Sequence, residues 1–360
     1  MVRDAAAVRW AVVGLLANVL LVGILFGTGH GPDWFLHLGS RSKAVVLAHE
    51  VLGPDVAVPQ EDGHDGKEFW VVARDPLLVH VSDVKPYLDR PVTRAERVGY
   101  PLLAAAWRLG GEDALLWGLI VTNLVAVLVG GFAAALLARD LGAPERSSLA
   151  FALCPGVLAA TALDTGDALA LALVLVAIVA VLRHRWVLAL AAATAAVLTR
   201  EVSLVLLVGL ALAPTAASRR QRVALVVVPG AVLALWAGYV RLRMGGADGD
   251  APSDIVLPFT GYLDVLRGRG EVVSNDGSKV VAVAVLAIAI ATVVLWARRR
   301  STLLWVALPL ALLASSFGPY VLGLADNSLR VAAPLVTLLV IELYTPSSTR
   351  SLTPVGTISA

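Results

Sequence analysis

An all-α polytopic membrane protein is the fold class predicted by three observations. The 360-residue chain is 58% hydrophobic with a mean hydropathy of +0.80, and only 16% of it is charged. That is more apolar surface than one soluble core hides. About ten apolar runs of roughly one span each recur along it, and the arginines fall in short clusters between them, a topology signal rather than a basic face. The net charge of +2 is too small to argue for nucleic acid. The single cysteine, Cys154, lies inside an apolar run, which excludes an internal disulfide and reads as a small buried hydrophobe. Abundant Ala, Val, Leu and Gly, with Arg far ahead of Lys, fit a GC-rich bacterial genome.

The first run, about Ala5 to Phe26, is long enough to span a bilayer, carries Arg3 and Arg9 at its N-terminal end and is followed by no small-residue cleavage site. It is predicted to be an uncleaved signal anchor with a cytoplasmic N-terminus. A polar segment of about residues 28–113 comes next, too long for a simple connector. It contains amphipathic stretches at Ser42 to Leu52 and Pro101 to Leu109, suited to the membrane surface. Six runs succeed it, at about Ala114 to Ala138, Ser148 to Ala162, Ala168 to Leu182, Trp186 to Leu198, Val202 to Ala216 and Val223 to Val240. A second polar segment, about residues 241–278, is rich in Gly and Asp and includes the amphipathic stretch Leu257 to Leu263. Runs at about Val280 to Ala297, Thr302 to Tyr320 and Val331 to Tyr344 complete the set. Several fall short of twenty residues, predicting tilted, broken or locally thinned spans. There is no fixed-period repeat, so residues 1–345 read as a single domain, with a disordered cytoplasmic tail at 346–360.

The connections expected on the cytoplasmic side carry Arg139 and Arg146, Arg183 and Arg185, Arg219, Arg220 and Arg222, and Arg298 to Arg300. The opposite short turns carry none at 163–167, Arg200 alone and Arg330 alone, a positive-inside pattern that puts both polar segments outside. Glu61-Asp-Gly-His-Asp-Gly-Lys-Glu-Phe-Trp70 is then the candidate active centre, although its turn-forming composition equally suits a solvated connector.

The same face carries Asp62, His64, Asp65, Arg97, Asp164, Asp167, Arg200, Glu201, Asp326 and Arg330. Arg200 and Glu201 sit between two apolar runs with almost no loop, where charge is expensive and has a task or a partner; the alternative is a tight outward turn. For Asp164 and Asp167 the alternative is helix capping, and for Arg330 a boundary anchor. Guanidinium groups bind phosphate bidentately and stabilise charge on a phosphate leaving group. A carboxylate can take the proton from an attacking hydroxyl. Carboxylates and arginines together therefore suit chemistry on a phosphate-activated, membrane-borne donor.

His64-Asp-Gly-Lys-Glu-Phe-Trp70, Ala73-Arg-Asp-Pro76, Leu88-Asp-Arg-Pro91 and Arg97-Val-Gly-Tyr-Pro101 resemble the first external loop of bacterial membrane proteins of the C-type (GT-C) glycosyltransferase superfamily. Leu198-Thr-Arg-Glu201 and Arg330 with Pro334 are similar to later positions of that group, which includes polyprenyl-phosphate-sugar-dependent mannosyltransferases. The resemblance covers about residues 60 to 340 and implies an actinobacteria-like plasma-membrane enzyme with a GT-C-like fold. It implies a polyprenyl-phosphate sugar as donor and a lipid-linked or cell-envelope glycan as acceptor. It further implies transfer on the external face, by inverting single displacement. By position, Asp65 is the candidate base with Asp62 its competitor, and Arg97, Arg200 and Arg330 are phosphate contacts. His64, Glu201, Asp164, Asp167 and Tyr100 are supporting residues. Asp65 is followed by Gly where many members pair two acidic residues. A divalent metal is optional in the superfamily, with His64 as a candidate ligand beside Asp65; a lone turn histidine also serves as a solvated or hydrogen-bonded group. Two other readings of the residues stay open: a transporter or lipid flippase, and a catalytically silent assembly protein of the same fold.

Overall fold

The structure, a computed structural model, is described for residues 4–246, 248, 255–269 and 275–346. Arg3, much of the second polar segment and the tail from 347 lie outside the described residues. Among those described the protein is all-helical, without a strand. Its first half comprises α1 (Ala5–Gly27), α2 (Ala44–Leu52), α3 (Gly66–Arg74), α4 (Pro91–Glu96), α5 (Gly99–Ala105), α6 (Glu112–Asp140), α7 (Leu149–Ala152), α8 (Pro155–Ala162) and α9 (Asp167–Leu182). Its second half comprises α10 (Trp186–Thr199), α11 (Ser203–Leu212), α12 (Arg219–Met244), α13 (Thr260–Leu266), α14 (Asp276–Arg299), α15 (Thr302–Ala314), α16 (Pro319–Leu322) and α17 (Ala325–Tyr344).

Five helices, α1, α6, α12, α14 and α17, are long and apolar enough to cross a membrane. They match five of the ten apolar runs. Four other runs form shorter helices, α9 with 16 residues, α10 with 14, α11 with 10 and α15 with 13. The run Ser148 to Ala162 is broken. Cys154 adopts extended backbone (φ −60°, ψ 128°) because the ring of Pro155 disfavours a helical residue before it, and α8 starts at that proline.

α6 is the centre of the bundle: 67% of its apolar window is buried, against 22% in α1, 17% in α12 and 22% in α14. It packs against α1 and α9; α9 meets α10, and α12 covers α10 and α11. α11 meets α15, while α14, α15 and α17 pack on one another and α17 closes against α8. The outer faces of α1, α12 and α14 expose large apolar side chains such as Leu16, Leu20, Leu235 and Val280. In water that surface would be costly; against lipid it is not.

The first polar segment is folded rather than spread on a surface. Phe35, Leu36, Trp70, Leu78, Leu88 and Tyr100 are fully buried in it. The stretch expected to be a loop through Trp70 ends at Asp65, because the apolar residues Phe69 to Ala73 demand burial and α3 supplies it against α5 and α6. Even Lys67 and Glu68 are buried. The amphipathic stretches form α2, α5 with the adjoining 3-10 turn, and α13, and they leave Val46, Leu103, Leu109, Leu257 and Phe259 exposed.

Candidate functional site

Local backbone pairing fixes Asp65. Residues 37–41 run beside 60–64 through Ser40 N to Gln60 O (3.0 Å), Arg41 N to Glu61 O (2.9 Å) and His64 N to His37 O (2.9 Å). Lys67 donates from Nζ to the carbonyls of Asp62 and His64, both at 3.1 Å, and ties the loop to α3. At Gly66 a Cβ would lie 2.6 Å from the Leu163 carbonyl and 2.9 Å from that of Phe35, so only glycine lets α3 start against the turn that leads to Asp167. Gly99 does the same on the other side: a Cβ there would fall 2.9 Å from the amide nitrogen of Thr199, next to Arg200. Asp248 fixes α4 by accepting from Val92 N (2.9 Å), Thr93 N (2.8 Å) and Thr93 Oγ1 (2.7 Å). Arg330 arrives from α17. Pro334, four residues on, has no N–H to bond the Arg330 carbonyl.

These segments, remote in sequence, meet in one ion-pair network. Arg94 Nη1 donates to Asp65 Oδ1 at 2.7 Å, while its Nε and Nη2 hold Asp89 Oδ1 and Oδ2 at 2.9 and 3.0 Å. Arg200 grips Asp167 bidentately, Nε to Oδ1 at 2.7 Å and Nη2 to Oδ2 at 2.9 Å, with its Nη2 3.8 Å from Asp65 Oδ2. Arg330 Nη1 bridges the two acids, 3.3 Å from Asp65 Oδ2 and 3.1 Å from Asp167 Oδ2. Its Nη2 donates to Asn327 Oδ1 and lies 3.8 Å from Asp326. Arg97 forms a third bidentate pair, with Glu201, at 2.7 and 3.1 Å.

Charged groups this far from water persist only when paired and hydrogen-bonded. Burial alone would raise the Asp65 carboxyl, but Arg94 first, then Arg330, Arg200 and Arg97, hold it well below the usual carboxylate range. Three residues away the balance reverses. Burial and the neighbouring Asp89 push Glu68 up to about 7 against the opposing pull of Arg94 and Lys67. Burial also lowers His64, so at neutral pH its Nδ1, 3.5 Å from Asp326 Oδ2, belongs to a neutral ring.

The network lines a cavity of about 370 Å³. Five arginines (Arg90, Arg94, Arg97, Arg200, Arg330) face three carboxylates (Asp65, Asp167, Glu201) in its wall. The rest of the lining is largely apolar, from Leu171 and Val174 on α9, Val205 and Leu206 on α11, and Phe317 and Val331. Such a wall can hold an anionic head joined to an apolar tail.

Of the residues expected at the site, Asp65, Arg97, Asp167, Arg200, Glu201 and Arg330 line this cavity together. Four do not. Asp62 points to solvent, 83% exposed, with only Arg41 at 3.8 Å, because the turn at Gly63 sends it the opposite way from Asp65. Asp164 and Tyr100 form a separate buried polar cluster: the phenol oxygen lies 2.8 Å from the Leu119 carbonyl and 3.2 Å from Asp164 Oδ1, and accepts from Asn123 Nδ2 at 2.9 Å. Their role is to tie α5 and α6 to the turn before α9. His64 packs edge-on against His37 and contacts Asp326 behind Arg330. Asp167 does not cap its helix with its side chain, and Arg200 does not turn outward; each is the other's partner.

Arg94, Asp89 and Arg90 are the residues that sequence reasoning missed. The signal was present: Pro91 marks a helix start, and positions 90, 94 and 97 keep a helical spacing that brings arginines to one face. Among the described residues no group of three or more His, Cys, Asp or Glu is arranged to hold a metal ion. Comparison with protein-family models, with curated proteins and with solved structures finds no match for this chain.

Proposed function

We propose that the protein is a membrane glycosyltransferase of the C-type architecture, moving one sugar from a polyprenyl-phosphate donor to a lipid-linked or cell-envelope glycan acceptor. On this reading all ten apolar runs lie in a bacterial plasma membrane, both termini are cytoplasmic, and the cavity opens on the external face. The observation that carries it is the convergence of Asp65, Asp167, Arg94, Arg200 and Arg330, from three remote parts of the chain, in a cavity whose wall also presents a large apolar surface from α9 and α11.

In the reaction the acceptor oxygen attacks the anomeric carbon, the bond from that carbon to the phosphate oxygen breaks, and the phosphate leaves with the electron pair. Asp65 takes the acceptor proton. A carboxylate held this far below its usual range is a poor base, and the donor phosphate corrects that: by drawing on Arg330 it loosens that residue's hold on Asp65 and raises its basicity. The arginines then stabilise the phosphate as it departs. Asp167 keeps Arg200 and Arg330 oriented. The test is transfer in proteoliposomes with a panel of polyprenyl-phosphate sugars and an envelope lipid extract as acceptor. Transfer from at least one donor, with anomeric inversion, is expected; no transfer from any, or retention, would overturn the reading.

A further inference from the structure

Four of the five arginines in the cavity wall have their guanidinium groups committed to carboxylates. Arg94 binds Asp65 and Asp89, Arg97 binds Glu201, Arg200 binds Asp167, and Arg330 is shared between Asp65 and Asp167. Arg90 differs. Among the described residues no carboxylate lies within ion-pair distance of it, and its guanidinium carbon stands 5.1 Å from the ring centroid of Tyr320, which also lines the cavity. A guanidinium stacked on an aromatic face keeps its in-plane N–H groups free, the edge that receives an anion bidentately. The backbone holds it in place, because Arg90 is the residue before Pro91 at the start of α4 and Tyr320 comes directly after Pro319 at the start of α16.

A second observation points to a ligand in the same cavity. The Arg330 side chain is only 2% exposed, yet its Nε has no hydrogen-bond partner. A buried donor left without an acceptor carries a cost that an incoming anion removes. Recruiting Arg97 or Arg200 would mean breaking a close bidentate pair first. Arg90 needs no such exchange.

We infer that Arg90, presented on Tyr320, is the primary contact for the phosphate of an amphiphilic phosphate ligand, with Arg330 Nε completing the anion site and the tail lying along the apolar wall. This rests on the reading of the cavity as a lipid-phosphate site, and it moves the recognition role from Arg97 and Arg200 to a residue with no carboxylate to surrender.

The test measures binding of farnesyl phosphate, farnesol and inorganic phosphate to the purified full chain in lipid nanodiscs. Wild type is compared with Arg90→Gln, Arg90→Lys and Tyr320→Leu, each first checked for an unchanged thermal midpoint. Arg90→Gln is expected to weaken farnesyl phosphate by roughly tenfold to a hundredfold, the worth of a charged hydrogen-bonded contact. Farnesol binding stays unchanged, Arg90→Lys restores part of the loss, and Tyr320→Leu gives a smaller loss of the same sign. Equal affinity of wild type and Arg90→Gln for farnesyl phosphate would overturn the role of Arg90 while leaving the lipid-phosphate reading intact. Failure of wild type to bind farnesyl phosphate would overturn both. Inorganic phosphate bound as tightly as farnesyl phosphate, with the same dependence on Arg90, would support the anion site and reject a lipid source for it. Loss of binding in Arg90→Gln alongside a protein that transfers no sugar would uphold Arg90 and reject the transfer chemistry.

Discussion

Replacing Asp65 with asparagine keeps the shape of the side chain and removes its charge, and the surrounding arginines set the cost. Arg94 retains Asp89 at 2.9 Å, Arg200 retains Asp167 at 2.7 Å, and Arg330 retains Asp167 at 3.1 Å with Asp326 at 3.8 Å. Removing one partner from a buried pair costs about 3–5 kcal/mol in general. Because all three arginines keep a carboxylate, the lower end applies, about 3 kcal/mol at neutral pH. The native carboxyl is held low, so its contribution is present above the ordinary carboxylate value of about 3.9 and is lost as pH falls through the native one. The gap between wild type and Asp65→Asn therefore closes in acid. Thermal unfolding in detergent, monitored by tryptophan fluorescence from pH 3 to 8, measures it. Asp62→Asn is the control: that side chain is exposed and near only Arg41, so it changes stability by less than about 0.5 kcal/mol. An Asp65→Asn protein as stable as Asp62→Asn at pH 7 would refute the account of the network. The sequence alone suggests that Asp65→Asn would abolish transfer and leave folding intact; with three arginines leaning on this carboxylate, activity must be compared where the variant is still folded.

Glu68 and Gly66, both in the first turn of α3, give two more expected outcomes. Glu68, pushed up to about 7 from an ordinary 4.5, keeps its proton in the folded protein at pH values where the unfolded chain has released it. Folding is thus favoured less as pH rises through that window, by about 3 kcal/mol in all, and Glu68→Gln is expected to flatten the fall in thermal midpoint between pH 5 and 8; parallel curves would rule this out. Gly66→Ala drives a methyl against two backbone carbonyls, and an overpacked site of that kind costs about 1–3 kcal/mol. Gly23→Ala in α1, whose added carbon meets nothing within 4 Å, is the neutral comparison in the same melt.

The amino-acid pattern announced a helical protein with too much apolar surface for water; charge next to an apolar run marked Asp167, Arg200, Glu201 and Arg330, while Asp65 and Arg97 stood out in the polar external segment through the family resemblance. The pattern by itself did not choose between Asp62 and Asp65; the resemblance favoured Asp65. Both are acids in one turn, and only the backbone at Gly63, with a φ of 74°, decides which faces inward. Asp164 and Asp167 posed the same difficulty: three residues apart, one ended in a buried hydrogen-bonded cluster and the other in the ion pairs. The division of ten apolar runs into five long helices, four short ones and a broken pair depends on where neighbours cover the backbone, which hydropathy does not report. Arg90 and Arg94 were hidden because they sit in a segment that reads as loop until α4 is seen.

Arg330 comes from α17, after every other residue of the network in the chain. During synthesis Asp65 and Arg94 emerge early, and Asp167 and Arg200 more than seventy positions later; until α17 is made, only Arg200, bound to Asp167 and 3.8 Å from Asp65, links the two acids. The order of translation therefore makes the cavity the final part of the molecule to mature. A ribosome that stops short of residue 330 releases a chain with most of its helices and without the arginine that closes the network against α17.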